Sequence, residues 1–175
     1  MTPHDNAEEL LPLVNELGQV IGKATRRECH SGSKPLHPVV HLHVFNRAGE
    51  LFLQQRPAWK DIQPNKWYTA VGGHVDWGET VEQALLREVR EEIGLDDFEP
   101  EFMLSYVFES ARERELVNVF RTVTDHTPRP SAELAGGRFF SRQEILQRMA
   151  TGFFSPNFEK EWTRLFGEQP APTPH

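Results

Sequence analysis

The sequence predicts an α/β sandwich built on a mixed β-sheet, and three observations lead there. Short apolar or alternating segments, Val39–Phe45, Leu51–Gln55 and Trp67–Val71 among them, read as strands in the first half of the chain. An amphipathic helix opening near Val81 follows them. Two more strands and two capped helices come after it, so helices lie both between strands and beyond the last of them. At 175 residues the chain suits one domain with a sizeable core, placed here at 9–167. Residues 1–8 read as a flexible N-terminus and 168–175 as a flexible, Pro-rich tail.

Taken in order, Leu10–Asn15 is a short strand that turns at Leu17-Gly18 into its hairpin partner, Gln19–Thr25. His30–Pro35 is a loop by composition. Val39–Phe45 alternates apolar and polar residues and joins Leu51–Gln55 through the Asn46–Gly49 turn, making the clearest hairpin in the chain. Arg56–Lys66 is a polar loop punctuated by Pro, and Trp67–Val71 is one strand delivering the chain to a Gly-rich turn. Thr80 with Gln83 is a capping box, and Gly94 suits the position just past a helix end. Phe98–Glu109 and Glu115–Thr124 are strands joined by a charged turn, followed by a Pro- and Gly-rich loop over 125–137. Ser141 with Glu144 caps a helix to about Ala150, and Ser155-Pro156 opens a last one to Leu165 or Phe166.

A formal net charge of −7 gives no basic face for nucleic acid. No apolar run reaches membrane-spanning length, and the first residues lack the pattern of a secretory signal. One cysteine, Cys29, allows no internal disulfide, consistent with a reducing compartment and a cytoplasmic protein.

The chemistry concentrates in Gly73–Leu95. At about 100° per residue, Val81, Leu85, Glu88 and Glu92 fall in one sector of the helix, with Ala84 and Glu91 on its flank. Glu- and Arg-rich helices are often solvated faces, and Arg87 with Glu91 would form such an i,i+4 pair. Carboxylates built into a core-facing stripe are different. They repel one another, are costly to bury unpaired, and suit Mg²⁺ or Mn²⁺.

The full string reads Gly73, five residues, Glu79, seven residues, then Arg87-Glu88-Val89-Arg90-Glu91-Glu92-Ile93-Gly94-Leu95. It resembles the signature of the Nudix hydrolases with no position missing. The resemblance extends from about Leu13 to Phe166. It is strongest to the branch holding isopentenyl-diphosphate isomerase and isomerase-like hydrolases, on Val14-Asn-Glu-x-Gly18, Gly22, His30, Leu36-His37, Leu53-Gln-Gln-Arg56, Lys60, Trp67, Gly73-His74 and Phe154-Ser-Pro156. The resemblance implies an α/β/α sandwich and water attack on a phosphorus of a small-molecule diphosphate, a nucleoside diphosphate derivative; whether the chain is a monomer or homodimer the sequence leaves open.

By position it also implies that Glu88 and Glu92 ligate Mg²⁺ or Mn²⁺, with Glu91, Glu79 and the Gly73 carbonyl as further contacts, and that Arg87 orients the carboxylates. The general base is Glu91, Glu113, Glu115 or Glu133. Arg56, Lys60 and His74 match positions that meet the substrate diphosphate. His30, His37, His74, Glu113 and Glu115 fall where isomerases hold a His₃Glu₂ metal cluster, implying a second metal site. Against isomerisation, Gly72 stands where that chemistry uses a cysteine. The resemblance therefore implies a hydrolase first, an isopentenyl-diphosphate isomerase second, and a non-catalytic nucleotide-binding module third.

Overall fold

The structure, a computed structural model, describes residues 7–60, 63–132 and 134–167. In chain order the elements are β1 (Leu10–Val14), β2 (Val20–Thr25), α1 (Arg26–Cys29), β3 (Leu36–Phe45), β4 (Leu51–Gln55), β5 (Trp67–Thr69), β6 (Val71–His74), α2 (Val81–Ile93), β7 (Glu101–Glu109), β8 (Arg114–Val123), β9 (Gly136–Phe140), α3 (Arg142–Arg148) and α4 (Pro156–Leu165). The readings placed on residues 1–6, on 168–175 and on Glu133 lie outside the described residues.

Strand β3 is the axis of a seven-stranded sheet. It runs parallel to β8, from Leu36 opposite Arg114 to Phe45 opposite Val123, and β8 pairs antiparallel with β7. One parallel pair among antiparallel ones makes the sheet mixed. Its two faces carry different helices. Val40, Leu42 and Val44 pack under Ala84, Leu85, Val89 and Ile93 of α2. On the opposite side Leu51, Leu53 and Phe140 meet Ile145 of α3 and Phe158 and Trp162 of α4. Each Val, Leu, Ile or Phe among them contributes about 1.5–3 kcal/mol when withdrawn from water. β1 and β2 form a separate antiparallel hairpin. No described helix is long and apolar enough to cross a membrane.

The expected hairpin of β3 and β4 survives only beside its turn, at Val44–Phe52 and Phe45–Leu51. The two strands then part, and the segment expected as one strand fills the gap as two. β5 follows β4, while β6 follows β3. The break falls at Ala70, where the buried Gln54 donates Nε2–H to the carbonyls of Thr69 at 3.1 Å and Ala70 at 2.8 Å. A side chain thus serves backbone acceptors at the change of partner, where the sheet ladder is interrupted.

Two more elements depart from the sequence reading. Thr25-Arg-Arg-Glu28 is itself a capping box and opens the one-turn helix α1, directly after β2. Gly136–Phe140, its two glycines expected as loop and its two phenylalanines as the lead into the next helix, is β9 and pairs along the whole of β4. Gly137 is required there, because a Cβ would come within 2.6 Å of the Phe52 ring. The three longer helices are capped as expected. Thr80, Ser141 and Ser155 accept from the amides of Gln83, Glu144 and Phe158, and Gly94 takes the left-handed conformation at φ 65°.

Candidate active site

Where β3 and β4 part, the sheet opens into a cleft of about 460 Å³, lined by β5, β6, the end of α2 and the first turn of α4. Glu88, Glu91 and Glu92 all reach it from α2. Glu88 is 2% exposed and passes so close to β6 that a Cβ on Gly73 would sit 2.2 Å from its Cδ. Gly73 is therefore the residue that lets the helix carboxylate through. Gln54 donates to Glu92 Oε1 at 3.1 Å, while Glu92 Oε2 is buried with no hydrogen-bond partner among the described residues. Burial, then the neighbouring Glu88 carboxylate, pushes the Glu92 pKa well above the usual range. Paired carboxylates with an orphaned buried oxygen fit a hard divalent cation.

Arg87 holds this arrangement together. It donates to Glu79 through Nε and Nη2, both at 2.8 Å, to Glu88 at 2.6 Å, to Glu91 at 3.2 Å and to the His74 carbonyl at 3.0 Å. Burial would raise the Glu79 carboxyl, but its bonds from Arg87 and from the Asp76 amide hold it below its usual value. Glu79 supports the cleft without lining it.

A second group gathers around His74. His30, from the end of α1, His37 on β3, His74 on β6 and Glu113 in the β7–β8 turn present ligand atoms all within 4.8 Å of one another. His30 Nε2 lies 3.0 Å from Glu113, and His37 Nε2 lies 3.5 Å from it. His37 donates Nδ1–H to the Pro35 carbonyl at 3.1 Å, which turns Nε2, buried and without a hydrogen-bond partner among the described residues, toward the cluster. His30 and His37 outweigh burial and hold Glu113 far below its usual range, whereas burial and then Glu113 raise Glu115 to about 7. Glu115 stands at the edge of the group, 3.9 Å from His74 and 4.0 Å from His37.

His74 carries a constraint. Arg26, not selected from sequence, approaches its Nδ1 at 3.0 Å, and an arginine only donates. The His74 ring proton therefore sits on Nε2, and burial followed by the Arg26 charge keeps the ring neutral, far below its usual pKa. His30, His37 and Glu113 fit a transition-metal cation as they stand. His74 joins them only if Arg26 lets go.

Arg56 and Lys60 both line the cleft, Arg56 over the Tyr68 ring at 5.7 Å and Lys60 over the exposed Trp59 at 4.7 Å. Glu133 is not described, but Ser131 and Leu134 beside it line the cleft. Besides Arg26, the sequence reading passed over the role of Gln54 and the presence of His41. Gln54 stands in a recognised strand, yet nothing local marks it as the side chain at a strand break.

The family described as NUDIX domain matches residues 35–160. An uncharacterized Nudix hydrolase of Listeria monocytogenes is 31% identical over 165 residues, covering 93% of this chain and 96% of that one. An isopentenyl-diphosphate Delta-isomerase of Brevibacterium linens is 32% identical over 169 residues, covering 90% and 91%. Among solved structures, DR0079 from Deinococcus radiodurans superposes with a TM-score of 0.76 at 28% identity, over 90% of this chain and 99% of that one.

Proposed function

The chain belongs to the Nudix hydrolase family, whose members act on pyrophosphate bonds, and we propose that it cleaves the diphosphate linkage of a nucleoside diphosphate derivative with Mg²⁺ or Mn²⁺. The observation that carries this is the pair Glu88 and Glu92 at the cleft, the first a buried residue and the second with a buried Oε2 that has no hydrogen-bond partner among the described residues. Glu88 and Glu92 would hold the cation, supported by Glu91, the Gly73 carbonyl and, from outside, Glu79. The bound ion would supply charge neutralisation at the diphosphate and Lewis acidity toward the attacking water. Arg87 fixes the carboxylates by donating to Glu79, Glu88 and Glu91. Glu91, the most open of the three α2 carboxylates that reach the cleft, accepts the proton of the attacking water. Arg56 and Lys60 bind substrate phosphate oxygens from the far wall.

The His30–His37–Glu113 group, seen beside the matches to isopentenyl-diphosphate isomerases, favours a second reading as an isomerase. Proton transfer at carbon needs a positioned acid–base pair in the cleft. Gly72 has no side chain to offer, and Cys29 is buried and is not among the described residues that line the cleft. A phosphate-release screen tests both readings. It runs over nucleoside di- and triphosphates, dinucleoside polyphosphates, nucleotide sugars and prenyl diphosphates, with each metal and with none. Metal-dependent release from a nucleotide is the expected result. Deuterium exchange into isopentenyl diphosphate without phosphate release would reverse the ranking.

A further inference from the structure

Alternation along β3 places Val39, His41 and His43 on the sheet face that carries α4, and α4 meets the two histidines with a single carboxylate. Glu161 is 2% exposed, and both of its oxygens are engaged. His41 Nδ1 lies 2.8 Å from Oε1, the Tyr106 hydroxyl donates to the same oxygen at 2.6 Å, and His43 Nε2 lies 2.6 Å from Oε2. A carboxylate enclosed by these donors stays ionised: burial opposes the charge, but His41 and then His43 hold Glu161 far below its usual pKa. As an acceptor it fixes Nδ1 of His41 as a donor.

The two histidines end in different places. His43 is fully buried and packs edge-on against Phe166, 5.3 Å between ring centres, with its Nδ1 unpartnered among the described residues. His41 lines the cleft, and its side chain is 22% exposed. Its Cδ2–Nε2 edge lies over Gly72, where a Cβ would come 3.3 Å from Cδ2 and 3.5 Å from Nε2. Gly72 thus leaves room for the ring. Nε2 is the one polar atom the ring has to spare, and it makes no hydrogen bond among the described residues.

We propose that His41 is a substrate contact, held in place by Glu161, that donates Nε2–H to an oxygen of the diphosphate from the α4 side of the cleft. This rests on the diphosphate reading above. The cleft supplies Glu88, Glu91, Glu92, Glu113 and Glu115 against few donors, and an oxygen-rich anion seated there needs a fixed one. Among the other cations at the cleft, Arg26 is already on His74, while Arg56 and Lys60, assigned above to substrate phosphate, lie over the Tyr68 and Trp59 rings. His41 differs from them in being clamped by a buried carboxylate, so little side-chain freedom is lost when it binds. The negative Glu161 raises the His41 pKa against the effect of burial, in keeping with a ring that donates from both nitrogens.

The test separates the two nitrogens. In His41→Asn the amide can still reach Glu161 from the Nδ1 position but nothing replaces Nε2. In His41→Gln the amide reaches the Nε2 position instead. Binding of imidodiphosphate with Mg²⁺ is measured by calorimetry for the parent and both variants, with melting temperatures alongside. On the scale of one charge-assisted hydrogen bond, His41→Asn should bind on the order of tenfold more weakly, and His41→Gln should recover most of the loss. Glu161→Gln, which loosens the ring, should fall between the two. The proposal is overturned if His41→Asn binds within twofold of the parent, if Gln does no better than Asn, or if the parent does not bind the probe. Should the parent bind it yet release phosphate from nothing in the screen, the hydrolase reading fails while the His41 contact stands.

Discussion

A carboxyl group with one oxygen held by Gln54 and the other buried with no hydrogen-bond partner among the described residues is a poor place for a negative charge unless a cation shares it. At the scale of single residues this gives Glu92 two opposing effects. Its pKa is raised above the ordinary 4.5, so in the metal-free protein its contribution to stability is present below about pH 4.5 and is lost as pH rises through the shifted value. Glu92→Gln should therefore melt no lower than the parent in chelator at neutral pH, and its stability should decline less between pH 4.5 and 8. In the presence of metal the same change should lower turnover by about a hundredfold or more, since a ligand is missing from a preorganised site. Melting curves in chelator and steady-state rates check the two halves, and activity within a fewfold of the parent would refute the assignment. Spacing alone made Glu88 and Glu92 legible, because helical periodicity converts sequence distance directly into a shared face. It also pointed to Gly73, but the reason for a glycine there, the Glu88 carboxylate crossing β6, appears only when helix and strand are packed.

Elements were legible where their signals are local. Thr80 with Gln83, Ser141 with Glu144, and Ser155 before Pro156 announced α2, α3 and α4 because a cap is a contact within three residues. The same box at Thr25 and Glu28 went unread because α1 is one turn long and abuts a strand. The break at Ala70 and the pairing of β9 depend on Gln54 and Phe52, contacts distant in sequence that no propensity reports. Nor could the alternation of β3 reveal that its polar face is an interior one. Glu161 lies 120 residues beyond His41 and ties α4 to β3, with Tyr106 of β7 joining the same oxygen. This joint sets an acid limit. Glu161 has its pKa lowered in the fold, so its contribution is present above the unfolded value of about 4.5 and is lost as pH falls below it. The unfolding free energy of the parent should drop as pH falls from about 5 to 3, and Glu161→Gln, less stable at neutral pH, should lose less over that interval. Urea titrations at each pH measure it. Equal slopes for the two proteins would show that α4 is held by its apolar face alone.

For the whole molecule, the mixed sheet between helices followed from alternation and helix placement, whereas the splaying of β3 from β4 that creates the cleft did not. Two donor sets of different hardness stand at the cleft and beside it, Glu113 of the second reaching its lining. Glu88 and Glu92 offer oxygens alone, while His30 and His37 with Glu113 offer imidazole nitrogens and one carboxylate. Oxygen ligands suit Mg²⁺ and Mn²⁺ alike, whereas a site with imidazoles disfavours Mg²⁺ and still admits a transition metal. Two sites of this kind should separate in a thermal-shift experiment. At a hundred times its dissociation constant, a cation that binds only the folded chain adds about 2.7 kcal/mol. In a domain of this size that corresponds to a rise of about 5–10 °C in melting temperature. Mg²⁺ should raise the parent and leave Glu92→Gln unmoved. Mn²⁺ should raise both, and in the double variant Glu92→Gln, His30→Gln its residual effect should vanish. His30 is the apt second change because its ring is partly exposed, so Gln removes a ligand with little disturbance of packing. A full Mg²⁺ shift in Glu92→Gln would place the hard-cation site away from α2. A Mn²⁺ shift that survives in the double variant would remove the histidine group from consideration as a second centre.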